Sequence, residues 1–230
     1  MSEAAAIPRE ATTPAQAQAI KVYANLMNEV RVRADAVVKF ASADDAFPTA
    51  TKVEAAFLQL RLICELIALG CLVAHGDLKE IKASRLQKAY EADFIVKSLT
   101  RLHPNFFPVP HDVEVREEFM PGTPGYHFVP VSEGFLTKEA LIRLYRRAGS
   151  VLHRGSLKAL SSAQPDEDAM VDEIFQAHAK IIGLLSSHHI ITRSRDFIIV
   201  CAIPEQGDVH VAFAGHIHSP NCDCSDLVLI

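Results

Sequence analysis

The stretch from Leu141 to Gly155, LIRLYRRAGSVLHRG, places strong bases, a histidine and a hydroxyl group in one predicted helix. Each residue of an α-helix turns by about 100 degrees, so the apolar side chains form one stripe and the polar ones the opposite face. Arg146 and His153 are nearly in line along the helix axis, with Ser150 between them. Guanidinium, imidazole and hydroxyl groups all donate hydrogen bonds to phosphate oxygens. The spacing therefore predicts a phosphate-binding face.

Helical phase distinguishes the arginines of this stretch. It places Arg146 beside His153 and turns Arg147 roughly 120 degrees away. We therefore expect Arg146 to make the main contact with a phosphate, provided that Gly149 does not break the helix. The predicted polar face consists of Arg143, Arg146, Arg147, Ser150, His153 and Arg154.

The charge of the chain limits how it can bind nucleic acid. Its formal net charge is -5 and its sequence pI is about 6.1, which argues against broad binding to a nucleic-acid backbone. Residues 138–158, however, hold six Lys and Arg against one acid, Glu139. Residues 204–230 hold four acids and no Lys or Arg. Any nucleic-acid contact must therefore be local.

Apolar residues recur at the helical period over five segments, which predicts a bundle of about five helices. The predicted segments are residues 15–43, 51–75, a segment from Lys79 or Ser84 to Leu102, 137–155 and 167–187. Thr51 and Thr137 are placed to cap the N-termini of two helices, and Gly76 and Gly155 to end them, Gly76 in the left-handed conformation.

The second helix is apolar nearly all round, so we expect it to be the central helix of the bundle. Arg61 and Glu65 lie one turn apart in it and predict an ion pair. Because each of these charges would cost about 2.5 to 3.5 kcal/mol near a bilayer centre, we expect a buried soluble helix and no membrane span. Cys64 and Cys71, in the same helix, are expected to be reduced core thiols.

Residues 104–136 contain six prolines and no helical period, which predicts a long loop in the helical domain. Its aromatic residues either cover the outside of the bundle or stack on bases. They are Phe106, Phe107, Phe119, Tyr126, Phe128 and Phe135. Gly125 to Val131 is the one extended piece expected within this loop.

In the C-terminal part of the chain, the spacing of the apolar residues changes from the helical period to the alternation of β-strands. Residues 189–192, 197–203 and 209–214 alternate as short strands with short links, which favours an antiparallel meander. The expected fold is mostly α, with a flexible lead at residues 1–14, a helical domain at 15–187 and a small β appendage with a tail at 188–230. The N-terminus lacks the pattern of a secretory signal, so we expect a cytoplasmic protein.

Familiar catalytic motifs are absent from the sequence, including a Gly-rich phosphate loop, HExxH and a serine nucleophile elbow. His216, His218, Cys222 and Cys224 lie close enough together to form a zinc site. One residue between the two cysteines is, however, a shorter spacing than structural zinc sites use. We therefore expect a polar tail with two incidental thiols, and neither a metal nor a cofactor.

An arginine followed by four to six residues and a histidine, late in a helical bundle, resembles the signature of the HEPN superfamily. The phrases LYRRAGSVLHRGSL and LQLRLICELIALGCLVAHGDL are also similar to that family. The resemblance covers roughly residues 15–187. It implies a homodimer in which two such helices face each other across a cleft.

Active HEPN proteins are metal-independent endoribonucleases, in which the RNA 2'-hydroxyl attacks the neighbouring phosphate. The resemblance implies that His153 is the general acid or base and that Arg146 or Arg147 stabilises charge on the phosphate. Ser150, Arg143 and Arg154 would bind substrate. A small polar residue often follows the arginine in active members, whereas Ala148 follows Arg147 here.

Two other functions fit the sequence. The first is a non-catalytic scaffold, because many HEPN domains serve only in dimerisation or nucleotide binding. The second is a small-ligand binder that uses the aromatic loop as a lid. A basic cleft containing both copies of His153 would favour the nuclease, and an arginine face open to solvent would favour the other two.

Overall fold

The computed structural model describes residues 13–43, 47–76, 85–120, 123–153, 166–192, 197–217 and 226–229. Within these ranges five α-helices form a bundle, and six strands form an antiparallel sheet. The helices are α1 (Pro14–Ala41), α2 (Thr49–Ala74), α3 (Ala92–Leu102), α4 (Lys138–Leu152) and α5 (Glu167–Leu185). The strands are β1 (Val109–Met120), β2 (Thr123–Pro130), β3 (Ser187–Ile191), β4 (Phe197–Ala202), β5 (His210–Ile217) and β6 (Asp226–Leu229). The predicted helical bundle with a C-terminal antiparallel meander is confirmed.

Helix α2 is the centre of the bundle, as its composition predicts. It contacts each of the other four helices, and Phe57, Leu60 and Ile63 are fully buried within it. By length and apolar composition α2 is the one helix among the described residues that could cross a membrane. Because 61% of its most apolar window is buried inside the structure, this composition is explained by its position in the core.

Side-chain caps begin three of the helices. The Thr13 hydroxyl and the Gln16 side chain form a reciprocal capping box at α1, and Asp166 accepts two backbone N–H groups at α5. Thr137 accepts a hydrogen bond from the Ala140 N–H at 3.2 Å, so the cap predicted for α4 is confirmed. Side-chain oxygens satisfy N–H groups that have no partner within the helix.

The predicted ends of α2 are wrong. Thr51 is not the cap, because α2 begins at Thr49 after Pro48, and Pro48 makes no side-chain cap hydrogen bond. Gly76 is not left-handed, since the positive-φ glycines of the described chain are Gly134 and Gly207. Instead the His75 ring donates from Nδ1 to the Cys71 carbonyl at 2.8 Å. This bond satisfies a terminal carbonyl without a left-handed turn.

Two other predicted boundaries differ from the structure. The predicted third helix forms only from Ala92 onward, after a short 3-10 helix over Arg85–Lys88. Its end at Leu102, before Pro104, is as predicted. Residues 1–12 of the predicted flexible lead lie outside the described residues, and α1 begins at Pro14.

The prediction of a loop over residues 104–136 is wrong for most of its length, because β1 and β2 form a hairpin there. Its prolines suggest a loop, but Pro110 and Pro130 lie near strand ends, where a missing N–H is tolerated. The hairpin also pairs with the C-terminal strands, at Val109 with His189 and at Tyr126 with Leu227. The six strands close in the order β1, β2, β6, β5, β4, β3.

The aromatic residues of this segment serve packing. Phe106 is fully buried, Phe128 lies in a small apolar cluster with Ile198 and Ala214, and Phe107 and Phe135 pack against the main core. The predicted packing on the outside of the bundle is confirmed for Phe107 and Phe135, whereas Phe106 lies inside the core and Phe128 packs within the sheet. The side chains of Phe119 and Tyr126 lie outside the described residues.

Alternate residues of β3 face two different environments. His188 and Ile190 are buried on the side of the helices, where the Tyr23 hydroxyl of α1 donates to His188 Nε2 at 2.6 Å. His188 Nδ1 donates to the Leu185 carbonyl at 3.0 Å, so one neutral tautomer satisfies both bonds. The buried hydrogen bond between Tyr23 and His188 therefore joins the sheet to α1. His189 faces the other way and contacts His111 of β1.

The described cysteines are free thiols in the core, as predicted. Cys64, Cys71 and Cys201 are buried and form no disulfide. Burial raises the pKa of Cys201 to about 12 and the pKa of Cys64 and Cys71 further. A thiol with a raised pKa is a weak nucleophile at neutral pH, so these cysteines have a packing role.

The free energy of unfolding is expected to fall as the pH drops from about 6.5 to about 4. Burial lowers the pKa of folded His188 to about 4, whereas an unfolded imidazole titrates near 6.5. The unfolded state therefore binds more protons in this interval, and the stability present above it is lost as the pH falls. Denaturant unfolding at pH 7 and at pH 4.5 should differ by about 2 kcal/mol from this group. His188→Gln, which keeps an acceptor for Tyr23, should show a smaller difference; an equal one contradicts the assignment.

The substitution Gly183→Ala is expected to destabilise the protein, although alanine favours helices. A Cβ at Gly183 of α5 would lie 2.6 Å from the Gly134 carbonyl oxygen and 3.4 Å from Phe135 Cα. Backbone atoms cannot rotate away, so we expect a loss of about 1–3 kcal/mol. Gly76→Ala is the control, because its Cβ would lie in ordinary van der Waals contact, 3.4 Å from the Val73 carbonyl oxygen. A thermal melt in which Gly183→Ala is as stable as the wild type would contradict this packing.

Candidate phosphate-binding face

Helix α4 has the two faces that its sequence predicts. Leu141, Leu144, Tyr145 and Ala148 are buried, and α4 packs against α2 and α3. The opposite, exposed face carries Arg143, Arg146, Arg147, Ser150 and, just beyond the helix, His153. We call this surface the basic face of α4.

An arginine from α2 holds α4 in place. Arg61 Nη2 donates to the Tyr145 hydroxyl at 2.7 Å, and the guanidinium carbon lies 4.1 Å from the centre of the Tyr145 ring. Arg61 Nε lies 3.4 Å from Glu65 Oε1, so the predicted ion pair is confirmed. The sequence does not predict that the same guanidinium also binds α4.

Gly149 allows this approach of the two helices. A Cβ at Gly149 would lie 2.8 Å from Arg61 Nη1, so the space above Gly149 is filled by the guanidinium. The helix continues past Gly149 to Leu152, and the glycine does not break it. Since α4 is continuous through Gly149, helical phase can be used to compare the directions in which Arg146 and Arg147 point.

The two central arginines of the basic face bind carboxylates on different neighbouring helices. Arg146 Nη2 lies 2.7 Å from Asp93 Oδ2 of α3. Arg147 makes a two-pronged contact with Glu173 of α5, with Nε and Nη2 each 3.0 Å from a carboxylate oxygen. Along the sequence this basic stretch holds almost no acids, but in the folded chain α3 and α5 supply them. The lack of acids within the stretch itself therefore does not leave Arg146 and Arg147 without ion pairs.

These ion pairs are exposed, which limits their strength. The exposed fraction of the side chain is 58% for Arg146 and 25% for Asp93, and 42% for Arg147 and 37% for Glu173. Partial burial of Asp93 opposes ionisation, but hydrogen bonds from Arg146 and Lys97 outweigh it and lower the pKa of Asp93. Exposed pairs contribute about 0.2–1 kcal/mol each. Separation of either carboxylate from its arginine therefore costs little free energy.

Ser150 and His153 are the remaining predicted site residues on this part of α4. Ser150 Oγ donates to the Arg147 carbonyl of its own helix at 2.7 Å. His153 is exposed and follows the helix as an extended residue with φ −98° and ψ 106°. The helix therefore ends at Leu152 and not at Gly155, although the His153 N–H still bonds to the Gly149 carbonyl at 3.0 Å. Arg146 bonds to Asp93, and no hydrogen bond among the described residues joins it to His153.

The last two predicted arginines lie at the borders of the face. Arg143 is exposed and forms no ion pair with the described part of the chain. Arg154 lies outside the described residues. The basic face of a single described chain is thus one unpaired arginine, two arginines in exchangeable ion pairs and one exposed imidazole.

Sequence reasoning missed the carboxylates that complete this surface. From the sequence, Asp93 can be predicted only to bond to Lys97, which lies one turn later in α3. For Glu173 the sequence predicts only a position on the polar side of α5. No local pattern pairs either acid with α4, because the pairing depends on how the three helices pack.

No group of three or more His, Cys, Asp and Glu that could hold a metal is found among the described residues. The zinc alternative rests on His216, His218, Cys222 and Cys224. The last three of these, and the side chain of His216, lie outside the described residues.

Comparison of the chain with protein-family models, with curated proteins and with solved structures finds no match.

Proposed function

We propose that this chain is a HEPN-like dimeric protein that binds RNA or a nucleotide phosphate through the basic face of α4. The observation that supports it is the exposure of three guanidinium groups on one side of a helix that Arg61 anchors to the core. An anchored helix presents these groups at fixed spacing, which reduces the entropy lost on binding. Arginine also matches the geometry of phosphate oxygens with two parallel hydrogen bonds.

Phosphate binding here is an exchange of partners. Asp93 and Glu173 accept hydrogen bonds from the guanidinium groups of Arg146 and Arg147. A phosphate group takes over the guanidinium hydrogen bonds, and the released carboxylates become hydrated. Because the chain as a whole has a net charge of -5, this exchange confines nucleic-acid contact to the basic face.

Cleavage requires the second copy of the chain in this proposal. In a homodimer whose two α4 helices face each other, His153 of one copy can approach the phosphate held by Arg146 of the other. The imidazole takes the proton of the RNA 2'-hydroxyl, that oxygen bonds to phosphorus, and the bond from phosphorus to the 5'-oxygen breaks. The 5'-oxygen leaves as a hydroxyl with a proton from water or from the imidazolium, and the other product is a 2',3'-cyclic phosphate. The arginines neutralise the charge on the phosphate oxygens. This chemistry needs no metal, and we place it in the cytoplasm.

A second candidate, a non-catalytic scaffold, is favoured by a different observation. Both central arginines carry a carboxylate partner, and Ser150 bonds to its own helix. These contacts are typical of a solvated helix face that joins α3, α4 and α5. In that case α4 serves dimerisation or partner binding, and RNA is not a ligand.

An RNA cleavage assay in EDTA tests the catalytic form of the proposal. The wild type should cleave single-stranded RNA, and His153→Ala should be slower by about 100-fold or more, the usual effect of removing a general acid or base. Arg146→Ala combined with Arg147→Ala should also lose cleavage. The matched control is His210→Ala, an exposed histidine on β5, which should cleave normally.

Two outcomes count against catalysis. Undiminished cleavage by the His153→Ala variant contradicts the mechanism. Absence of cleavage by every form, with a dimer still present in solution, supports the scaffold.

The partner exchange predicts that removing the two carboxylates strengthens RNA binding. The double variant Asp93→Asn, Glu173→Gln should bind single-stranded RNA about fivefold more tightly, since two weak competing ion pairs are lost. The control is Glu29→Gln with Asp208→Asn, which changes the net charge equally but frees Arg33 on α1 instead. Fluorescence anisotropy measures both affinities. Equal tightening by the two double variants would show a general charge effect and contradict the exchange.

A further inference from the structure

Two aromatic side chains are exposed to solvent at the start of α3. Tyr90 precedes the helix and is 67% exposed, and Phe94, in the first turn, is 41% exposed. The core side of the same helix carries Ile95 and Val96, which are fully buried. Within the described part of the chain, neither aromatic side chain contacts another ring or a cation. Both rings therefore have free surface for a ligand.

Phe94 lies beside the basic face of α4. The residue before it, Asp93, accepts a hydrogen bond from Arg146 Nη2 at 2.7 Å. Successive residues of a helix turn by about 100 degrees, so Asp93 points toward α4 while Phe94 points outward. In the proposed function a phosphate takes the place of Asp93 at Arg146. The Phe94 ring is then next to the nucleotide that carries this phosphate.

Unpaired cations lie on both sides of the two rings. Arg85 and Lys88 lie in the 3-10 helix before Tyr90, and Arg101 shares the outward side of α3 with Phe94. All three cations are exposed, and none forms an ion pair with the described residues. The aromatic surface therefore lies in a positive environment.

The acids near the rings are few. Asp93 is bound by Lys97, with Nζ 3.0 Å from Oδ1, as well as by Arg146. Glu91 is the only other acid in residues 85–101. A strand of nucleic acid is therefore attracted to this surface, although the net charge of the chain is -5.

We propose that Tyr90 and Phe94 form a stacking surface for the unpaired bases of an RNA strand whose phosphates are held by the basic face of α4. This inference rests on the proposed function and specifies its ligand as single-stranded RNA. Aromatic rings stack on every type of base, whereas the bases of a duplex are already stacked on one another. The surface therefore selects an unpaired strand over a duplex, with little preference among the bases.

Fluorescence anisotropy with a labelled single-stranded RNA of about ten nucleotides tests the stacking surface on the full chain. The double variant Tyr90→Leu, Phe94→Leu keeps apolar side chains but removes the flat rings, and it should bind about tenfold more weakly. Phe47→Leu is the matched control, because Phe47 is 57% exposed but follows the acids Asp44 and Asp45. Its affinity should equal that of the wild type. Circular dichroism checks that each variant is folded.

A tryptophan reporter detects stacking directly. The chain contains no tryptophan, so Phe94→Trp introduces a single indole that can still stack. A base stacked on the indole quenches its fluorescence. The single-stranded RNA should quench it, whereas inorganic polyphosphate, which has no bases, and a duplex of the same sequence should not.

The outcomes separate the stacking surface from the proposed function. An unchanged affinity in the leucine variant, or equal quenching by RNA and polyphosphate, overturns the stacking surface; the basic face still stands if Arg146→Ala with Arg147→Ala weakens RNA binding. RNA binding that depends on the rings but not on these arginines contradicts the proposed function and supports the stacking surface. Absence of RNA binding by the wild type contradicts both.

One other occupant of the surface is a second copy of the chain. Size-exclusion chromatography of the leucine variant distinguishes this case. An oligomeric state equal to that of the wild type supports base stacking, and a change to a smaller species assigns the two rings to a contact between copies and overturns the proposal.

Discussion

The contact between Arg61 and Tyr145 determines what α4 can present to a ligand. A guanidinium from the most apolar helix of the bundle bonds to the Tyr145 hydroxyl, covers its ring and occupies the space above Gly149. Glu65 balances its charge. Because this contact fixes the position and rotation of α4 on the core, the arginines of the opposite face have a defined direction. The same contact explains why a glycine, which weakens a helix by up to about 1 kcal/mol relative to alanine, lies in the middle of α4.

The outer face of α4 is held less tightly than the inner one. Its two central arginines bond to carboxylates from α3 and α5, at positions where water and salt weaken the attraction. Such pairs are consistent with two functions, since they can join three helices or yield their arginines to a phosphate. Each exposed pair contributes only about 0.2–1 kcal/mol, and in the proposed function a ligand with several phosphate oxygens replaces the carboxylates.

The sequence predicts most of the helical bundle, because apolar periodicity and caps such as Thr137 depend on residues close together in the chain. It fails where distant segments meet. The β1–β2 hairpin was hidden by its prolines, although Val109, His111 and Val113 alternate as a strand does, and only pairing with β3 and β6 explains the hairpin. The residue types of the candidate face were predictable, but Asp93 and Glu173 were not. The end of α4 was also misplaced, because the helix ends at Leu152 and not at Gly155.

The central claim is that the arginines of α4 exchange their carboxylates for the phosphates of RNA. The salt dependence of single-stranded RNA affinity tests it most directly, since each phosphate contact releases counterions. For three arginine contacts on one face, the logarithm of the association constant should fall with the logarithm of salt concentration with a slope of about −2. The slope should shrink toward zero when Arg143, Arg146 and Arg147 are all replaced by glutamine. A wild-type slope near zero, or no binding of RNA at low salt, would contradict the account.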